Sequence, residues 1–413
     1  LSDPPRGVRP RQNPRLIAPA IYSDGTRRDV TRLVEFRTHD PSLADVDQER
    51  GIVYVPTNGA TLDFYGGFRP GDNLFSTSLI AIDVKTGKRV WHFQMVHHDI
   101  WNFDTPTAPV LLDVQMDGKT VPIVVQVTKQ AFAYTFNRET GEPIWPIEER
   151  PVPASPVPGE MLSKTQPFPT KPAPYDNQGL TEDALINFTP ELRQRMLEIL
   201  EEYEYGPLFN PQLHQANSKG KKAGLLCPGD IGGVNIDGPA AADPTTGILY
   251  VTSRKDCSYR ILAPGVIRDG LLEDPTGTTV SDYVVIPGYG SVQGPDGLNM
   301  FKPPYSRITA IDMNTGDHLW WIPVGETPDR VLNHPDLQGM DIPSTGYGVP
   351  VAPMTVTKTM LIYAGNGSDG TAYLYAADKA TGKQLGRVEV PAQSRYGMMT
   401  YLHEGKQYIM LLT

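Results

Sequence analysis

The stretch AIDVKTGKRVW at residues 81–91 contains the motif that decides the fold. The apolar run 78–82 predicts a β-strand, the polar D-x-x-T-G segment at 83–87 predicts a tight turn, and the residues up to Trp91 predict a returning strand. A second apolar run at 52–55 predicts the strand that precedes them. The stretch therefore predicts a small antiparallel unit that carries one tryptophan.

The same turn recurs three times further along the chain. The copies are TFNRETG at 135–141, AIDMNTG at 310–316 and AADKATG at 376–382. In the first three of the four units a tryptophan follows the glycine: Trp91, Trp145 and Trp320. D-x-x-T-G alone is ordinary turn chemistry, but four copies in matching strand contexts indicate one repeated unit with a periodic aromatic residue. We therefore predict an all-β fold, a β-propeller with four units and a partial fifth, the hairpin at 399–409.

Composition limits the class of protein further. The chain has 413 residues with 40 prolines and 39 glycines, which suits a loop-rich β protein. Its net charge is -10 and it has no basic tract, which argues against a nucleic-acid partner. No apolar run approaches the roughly 18 residues that cross a bilayer. The sequence begins at Leu1 without a signal-peptide pattern, so we expect a mature or trimmed product.

Three regions are expected along the chain. Residues 1–15 are rich in proline and arginine and are predicted to be a flexible arm. Residues 16–47 resemble part of a bacterial immunoglobulin-like module, with YSDGTRRDVT at 22–31; they are either a partial module or a β segment that joins the propeller. Residues 48–413 form the propeller, interrupted by a Pro-rich and helical insert at 148–222. Within the insert, Thr189 is the predicted N-cap of a helix that packs on the propeller rim.

The two cysteines leave two interpretations open. Cys227 and Cys257 are not part of a C-x-x-C pair, so the pattern does not support a zinc site or an attached c-type haem. They form a disulfide if the protein folds in an oxidising compartment, or they are two buried free thiols.

From about residue 47 onward the chain resembles the pyrroloquinoline-quinone (PQQ) dependent dehydrogenases, in particular the membrane-bound glucose dehydrogenase branch. Matching segments occur in family order and include GIVYVPTNGATLDFYGG at 51–67, IAIDVKTGKRVWHFQMVHHDIW at 80–101 and DPTTGILYVTS at 243–253. The resemblance implies an eight-bladed quinoprotein-type propeller that holds PQQ with Ca²⁺ or Mg²⁺ near its axis. It also implies a periplasmic or exported bacterial protein that oxidises a sugar or alcohol and passes electrons to a quinone or cytochrome.

The resemblance assigns candidate ligands for the cofactor and the metal. Lys129 matches the cation that polarises the quinone oxygen, although a lysine snorkelling from an edge strand would look the same. Thr61 and Asn235 match cofactor-binding positions. His98 belongs to an H-H-D segment that shapes the site wall or supplies supporting hydrogen bonds. Asn58 matches the metal ligand, although Asn58 and its neighbouring glycine are in reversed order.

The position of the catalytic base departs from the family pattern. The family's aspartate is replaced by Asn102, whose amide cannot accept a proton, so the role is lost or moves to Asp99 or Asp104. Pro41 and Ile236 stand where the family has tryptophans. We therefore keep two hypotheses, a PQQ-dependent sugar or alcohol dehydrogenase and a catalytically inactive propeller that serves as a binding or structural scaffold. Both hypotheses are consistent with a homo-oligomer or a complementing chain. They are also consistent with membrane association through a partner or a missing segment.

Overall fold

The computed structural model describes residues 50–105, 107–229, 233, 240–265, 281–285, 290–348, 352–394 and 397–412, together with the backbone of 19–21, 27–29 and 45–47. The predicted arm at 1–15, most of the immunoglobulin-like stretch, and the positions of Pro41, Asn235 and Ile236 lie outside these residues. Two short strands, β1 (Pro19–Ile21) and β2 (Arg27–Asp29), pair antiparallel ahead of the propeller.

The first two units are antiparallel sheets whose strands follow chain order. The first has four strands: β3 (Asp45–Asp47), β4 (Ile52–Pro56), β5 (Ser78–Asp83) and β6 (Arg89–Gln94). The second has three: β7 (Val110–Met116), β8 (Lys119–Val127) and β9 (Ala133–Asn137). The strands predicted at 52–55 and 78–82 are confirmed.

An insert follows the second unit. It contains a strand pair, a helix and three short strands: β10 (Ile147–Pro151), β11 (Thr165–Pro169), α1 (Pro190–Leu200), β12 (Tyr203–Glu204), β13 (Leu213–His214) and β14 (Ala223–Leu226). Thr189 caps α1 as predicted, because its side chain accepts a hydrogen bond from the Leu192 N–H at 3.1 Å.

The third unit is interrupted by a second insert. Its first two strands are β15 (Ala241–Asp243) and β16 (Ile248–Arg254). The inserted strands are β17 (Ser258–Pro264), β18 (Tyr283–Val285) and β19 (Gly290–Ser291). The unit is then completed by β20 (Ser306–Asp312) and β21 (Asp317–Pro323).

The last two units close the described chain. After the short helix α2 (Asp329–Leu332) comes a four-stranded sheet of β22 (Met354–Val356), β23 (Met360–Asn366), β24 (Ala372–Asp378) and β25 (Gln384–Glu389). A hairpin of β26 (Met398–His403) and β27 (Lys406–Leu411) follows, with Glu404 and Gly405 at its turn. Short 3₁₀ turns lie at Glu182–Ala184, Pro295–Gly297 and Pro335–Leu337. Four units and a partial fifth are present, as predicted.

The repeated turns join neighbouring units. In the first turn, Asp83 Oδ1 accepts hydrogen bonds from the Thr86 N–H and hydroxyl at 2.7 and 2.9 Å. Trp91 packs on Gly141 of the next unit, where an added Cβ would lie 2.7 Å from the indole. Glycine also suits the positive φ of +77° at that position. The same contact joins Trp145 to Gly316 and Trp320 to Gly382. The periodic tryptophan therefore stabilises the junctions between units.

The order of the strands places the functional loops on one face. The innermost strands β3, β7, β15, β22 and β26 contact one another in succession, so the units form an arc. The D-x-x-T-G turns all follow the third strand of a unit, and in the first, third and fourth units they lead into a fourth strand. Loops between the second and third strands, and connections between units, therefore emerge on the opposite face. We call this face the loop face; it carries both inserts.

The predicted packing of α1 is wrong. Its buried Leu192, Met196 and Leu200 join a cluster formed by the two inserts and adjoining loops, not by the sheets of the units. The reason is a non-local pairing, since β17 of the second insert pairs with β13 and β14 of the first.

A disulfide between Cys227 and Cys257 joins the same inserts, so the free-thiol alternative is excluded. Within the described residues, no helix has the length and apolar character needed to span a membrane.

Candidate functional site

Lys129 lies at the centre of the candidate site, in the short loop between β8 and β9. Its side chain is buried, with only 4% of the residue exposed. The ammonium Nζ donates to Asp104 Oδ1 at 2.6 Å and to the Asn102 carbonyl at 2.9 Å. These two residues belong to the connection between the first and second units. The contacts give a buried cation held on the loop face, which does not agree with a snorkelling surface lysine.

Asn102 contributes its backbone to this arrangement. Its φ is +57°, a conformation that asparagine tolerates better than most residues, and its carbonyl accepts the bond from Lys129. The structure therefore brings two candidate catalytic positions, Asn102 and Asp104, into contact with Lys129, the candidate cofactor-binding cation. The carboxylate in contact with the lysine is that of Asp104.

Asp99 is the most deeply buried carboxylate of the site, with 1% of the residue exposed. Its Oδ1 accepts the Trp101 N–H at 2.8 Å and its Oδ2 lies 3.4 Å from the Thr77 hydroxyl. Loss of hydration and the charge of Asp104 raise the pKa of Asp99 to about 7, against the opposing effects of the Trp101 N–H and of the charges of Lys129 and Arg69. Asp99 is thus a carboxylate that changes protonation near neutral pH.

Asp63 is a site residue that the sequence did not reveal. Loss of hydration and the charge of Asp104 raise its pKa, and the charges of Lys129, Arg69 and Arg260 oppose this. Asp63 is not part of a motif. The only feature of the sequence that could have indicated it is its position two residues after Thr61, a predicted cofactor ligand. Three carboxylates and three cations therefore interact at this end of the loop face.

Arg69 ties the loop between β4 and β5 to the site. Its guanidinium donates to the Asp99 carbonyl at 2.6 Å and to the Leu62 carbonyl at 3.1 Å. Burial lowers its pKa, and the nearby charge of Asp99 opposes that change. The arginine thus holds the backbone of the H-H-D segment against the preceding loop.

His98 has a supporting position rather than a place beside Lys129. The imidazole is buried, with Nδ1 2.6 Å from the Gly71 carbonyl and Nε2 2.7 Å from Glu160 Oε1. Glu160, from the first insert, also accepts the Gly66 N–H through Oε2 at 2.5 Å. The H-H-D segment therefore joins the insert to the loop between β4 and β5, which agrees with the alternative of supporting hydrogen bonds. Sequence reasoning missed Glu160, which lies in an otherwise Pro-rich stretch.

The remaining predicted ligands are less closely associated with Lys129. Thr61 and Asn58 are both exposed. The Asn58 carbonyl accepts the Thr77 N–H at 3.0 Å, and the next residue, Gly59, lies directly against Asp99 Oδ2. Asn235 lies outside the described residues. Its neighbour Gly233 packs on the Lys129 backbone so closely that an added Cβ would lie 2.0 Å from the Lys129 carbonyl oxygen.

The residues fit an anionic quinone cofactor better than they fit a metal ion. Lys129 supplies a buried donor, and only two of its three N–H bonds go to described residues. A calcium ion requires six to eight oxygen ligands, roughly, and magnesium about six. Among the described residues there is no group of three or more His, Cys, Asp or Glu that could hold a metal. Asn58 alone does not supply such a set.

Comparisons with known proteins agree with the fold and the motifs. The family model for the PQQ β-propeller domain of glucose, ethanol and alcohol dehydrogenases matches residues 41–409. The chain is 30% identical over 390 residues to the quinate/shikimate dehydrogenase (quinone) of Acinetobacter baylyi, covering 91% of this chain and 46% of that protein. It is 32% identical over 387 residues to the glycerol dehydrogenase large subunit of Gluconobacter thailandicus, covering 89% and 50%.

A third relative and a solved structure extend the comparison. Quinoprotein glucose dehydrogenase A of Acinetobacter calcoaceticus is 30% identical over 390 residues, covering 89% of this chain and 45% of that protein. A europium-containing methanol dehydrogenase superimposes with a TM-score of 0.55 at 19% identity, covering 89% of this chain and 50% of that chain, and this likeness supports the fold alone. The chain spans about half the length of these relatives.

Proposed function

Because the chain belongs to the PQQ β-propeller family of glucose, ethanol and alcohol dehydrogenases, we propose that it oxidises a sugar or an alcohol with PQQ as cofactor. The observation that carries this proposal is the buried Lys129, which is held beside Asp104 on the loop face. When bound, PQQ supplies a quinone that accepts a hydride from the alcohol carbon. Lys129 would hold PQQ through its remaining N–H donor and would polarise a quinone oxygen.

Asp104 is the better candidate for the base that accepts the proton of the substrate hydroxyl. A base must lie within hydrogen-bond reach of that proton, so access matters before pKa. The side chain of Asp104 is 14% exposed and lies 2.6 Å from Lys129 Nζ, whereas the whole of Asp99 is only 1% exposed. Asp99 is therefore proposed to act through its neighbours. The negative charges of Asp99 and Asp104 repel each other, and the backbone of Asp99 is held by Arg69.

No step is assigned to a metal ion, because the described residues do not provide a ligand set for one. The Ca²⁺ or Mg²⁺ implied by the resemblance stays a prediction, as do the cofactor roles of Thr61 and Asn235.

The relatives and the disulfide support proposals for the substrate class and the cellular location. Relatives are named for glucose, glycerol and quinate or shikimate, all of which carry several hydroxyl groups, so a polyhydroxylated substrate is proposed. A quinone or a cytochrome is the proposed electron acceptor, since the quinate/shikimate relative is named for a quinone. An exported, periplasmic location is proposed because the Cys227–Cys257 disulfide suits an oxidising compartment. Membrane association and oligomeric state stay predictions.

Reduction of an artificial dye tests the proposed activity. The purified chain would be incubated with PQQ and Ca²⁺ or Mg²⁺, and turnover measured on glucose, glycerol, quinate and ethanol. Turnover that requires PQQ is expected, and Asn102→Asp should increase it by restoring a carboxylate at the position where the family pattern has its base. Binding of PQQ without turnover in either protein would leave the inactive scaffold as the better hypothesis.

A further inference from the structure

A second polar cleft lies on the loop face, where β16 leaves the third unit and enters the second insert. It contains about 480 Å³ of empty space. Most of its surface is polar, and the polar side chains that line it are Arg254, Lys255, Asp256, Gln293, Asn299 and Arg330. None of them belongs to the group around Lys129. Three of the six are cations and one is an acid.

Lys255 is the most unusual of these residues. It is 7% exposed, and its ammonium donates to the Lys302 carbonyl at 3.0 Å. Among the described residues no carboxylate oxygen lies within 4 Å of it, the limit for an ion pair. A buried ammonium without an anionic partner is costly, because a carbonyl replaces only part of the hydration that it loses.

Among the described residues, the charged groups around Lys255 do not balance. Asp176 is the carboxylate that acts on it, but Asp176 accepts the Ser253 hydroxyl and the Asn177 N–H and lies 3.9 Å from Arg307. Burial, together with the charges of Arg307 and Lys302, lowers the pKa of Lys255 to about 8, against the opposing charge of Asp176.

The acid in the wall of the cleft does not restore the balance. Asp256 has its Oδ2 packed against the backbone of Gly229, where an added Cβ would lie 2.3 Å away. Among the described residues that line the cleft or act on Lys255, five are cations and two are carboxylates: Arg254, Lys255, Lys302, Arg307 and Arg330, with Asp176 and Asp256.

A buried hydroxyl near the cleft also lacks a partner. Tyr305 is completely buried, and its OH makes no hydrogen bond within the described residues. Gly348, which lines the cleft, lies against Tyr305: an added Cβ would be 3.6 Å from the tyrosine Cβ. Burial raises the pKa of Tyr305, and the charge of Arg330 opposes that rise, so the hydroxyl is a neutral hydrogen-bond donor.

We propose that this cleft binds a small oxyanion, a carboxylate or a phosphate, through Lys255 and Arg330. An oxyanion would provide negative charge to balance these cations and would accept hydrogen bonds from their N–H groups. The site does not depend on the proposed dehydrogenase activity. It lies close to the candidate cofactor site, because Gly233 exchanges two backbone hydrogen bonds with Arg254 and packs on Lys129.

Calorimetric titration of the full chain tests the site. Inorganic phosphate and succinate would be added separately at constant ionic strength in chloride buffer, which also shows which oxyanion is preferred. Saturable binding of at least one is expected, with affinity reduced at least about tenfold in Lys255→Gln and in Arg330→Gln. Lys358→Gln, at an exposed lysine in the turn between β22 and β23, is the matched control and should bind as the wild type does. Equal, non-saturating heats in all four proteins would overturn the site.

Two further measurements test whether the oxyanion binds through Lys255 and apart from the cofactor. Arg330 is exposed, so Arg330→Gln keeps the test valid if Lys255→Gln does not fold, which circular dichroism would reveal. Affinity should fall as the pH rises above about 8, because Lys255 loses its proton while the arginines around it keep theirs. PQQ added first should leave the affinity for phosphate or succinate unchanged. Competition between them would assign the cleft to the cofactor and contradict a separate site.

Discussion

Lys129 and Lys255 are both buried lysines on the loop face, and they differ in their partners. Lys129 Nζ lies 2.6 Å from Asp104 Oδ1, whereas Lys255 Nζ donates to a backbone carbonyl at 3.0 Å. Near Lys129 a carboxylate, Asp99, has its pKa raised to about 7. At the other site the pKa of Lys255 itself is lowered, to about 8. The comparison indicates that partners, more than burial alone, determine whether the charge of a buried lysine is balanced within the described chain or is left for a ligand to balance.

The largest effect is expected when Lys129 loses its carboxylate. Asp104→Asn should reduce PQQ-dependent dye turnover by about 10²- to 10⁴-fold, since it removes the proposed proton acceptor. Asp113→Asn is the matched control, because Asp113 pairs with Arg138 at 3.0 Å in the second unit and its side chain is 56% exposed. Turnover that survives Asp104→Asn would assign the base to another residue.

Opposite changes in stability are expected when each lysine is removed. Lys129→Met leaves Asp104 without its partner and should lower the free energy of unfolding by about 3–5 kcal/mol. Lys255→Met removes a poorly paired charge and should raise it by up to about 3 kcal/mol at pH 7 in phosphate-free buffer. Urea unfolding measures both values. Equal destabilisation by the two variants would contradict the contrast between the two lysines.

The pH dependence of stability should have opposite signs at the two sites. The pKa of Asp99 is higher in the folded chain than in the unfolded chain, so the folded chain binds more protons between about pH 4 and 7 and loses stability as the pH rises through that window. The pKa of Lys255 is lower in the folded chain, so stability rises between about pH 8 and 10.5.

Variants separate these two contributions. Asp99→Asn should reduce the loss of stability between about pH 4 and 7 by about 4 kcal/mol at most, and Lys255→Met should reduce the gain of stability between about pH 8 and 10.5. Unfolding midpoints measured across pH provide the test. If stability falls between about pH 4 and 7 as steeply in Asp99→Asn as in the wild type, another group titrates there.

Local chemistry explains which parts of the structure the sequence could predict. The turn at Asp83 and its copies were predictable because their hydrogen bonds join residues at most five positions apart. The candidate role of Lys129 came from its resemblance to a family position. The structure shows that its ammonium contacts the backbone of Asn102, the position where the family has its base. The pairing of β17 with β13 and β14 could not be predicted, because it joins segments about 35 to 50 residues apart without a repeated motif.

Some site residues were missed for the same reason. Asp63 and Glu160 act through neighbours that only the folded chain brings close, and neither is part of a motif. The altered pKa values of Asp99 and Lys255 depend on burial, which the sequence around each residue does not reveal.

A titration with PQQ, followed by cofactor absorbance, is the sharpest test of Lys129 as the residue that holds the cofactor. The wild-type chain would be compared with Lys129→Met and Lys358→Met. We expect saturable binding to the wild type and to Lys358→Met, and binding at least about tenfold weaker to a folded Lys129→Met. Equal binding by all three proteins would remove Lys129 from the cofactor site. No binding by any of them would contradict the proposed function.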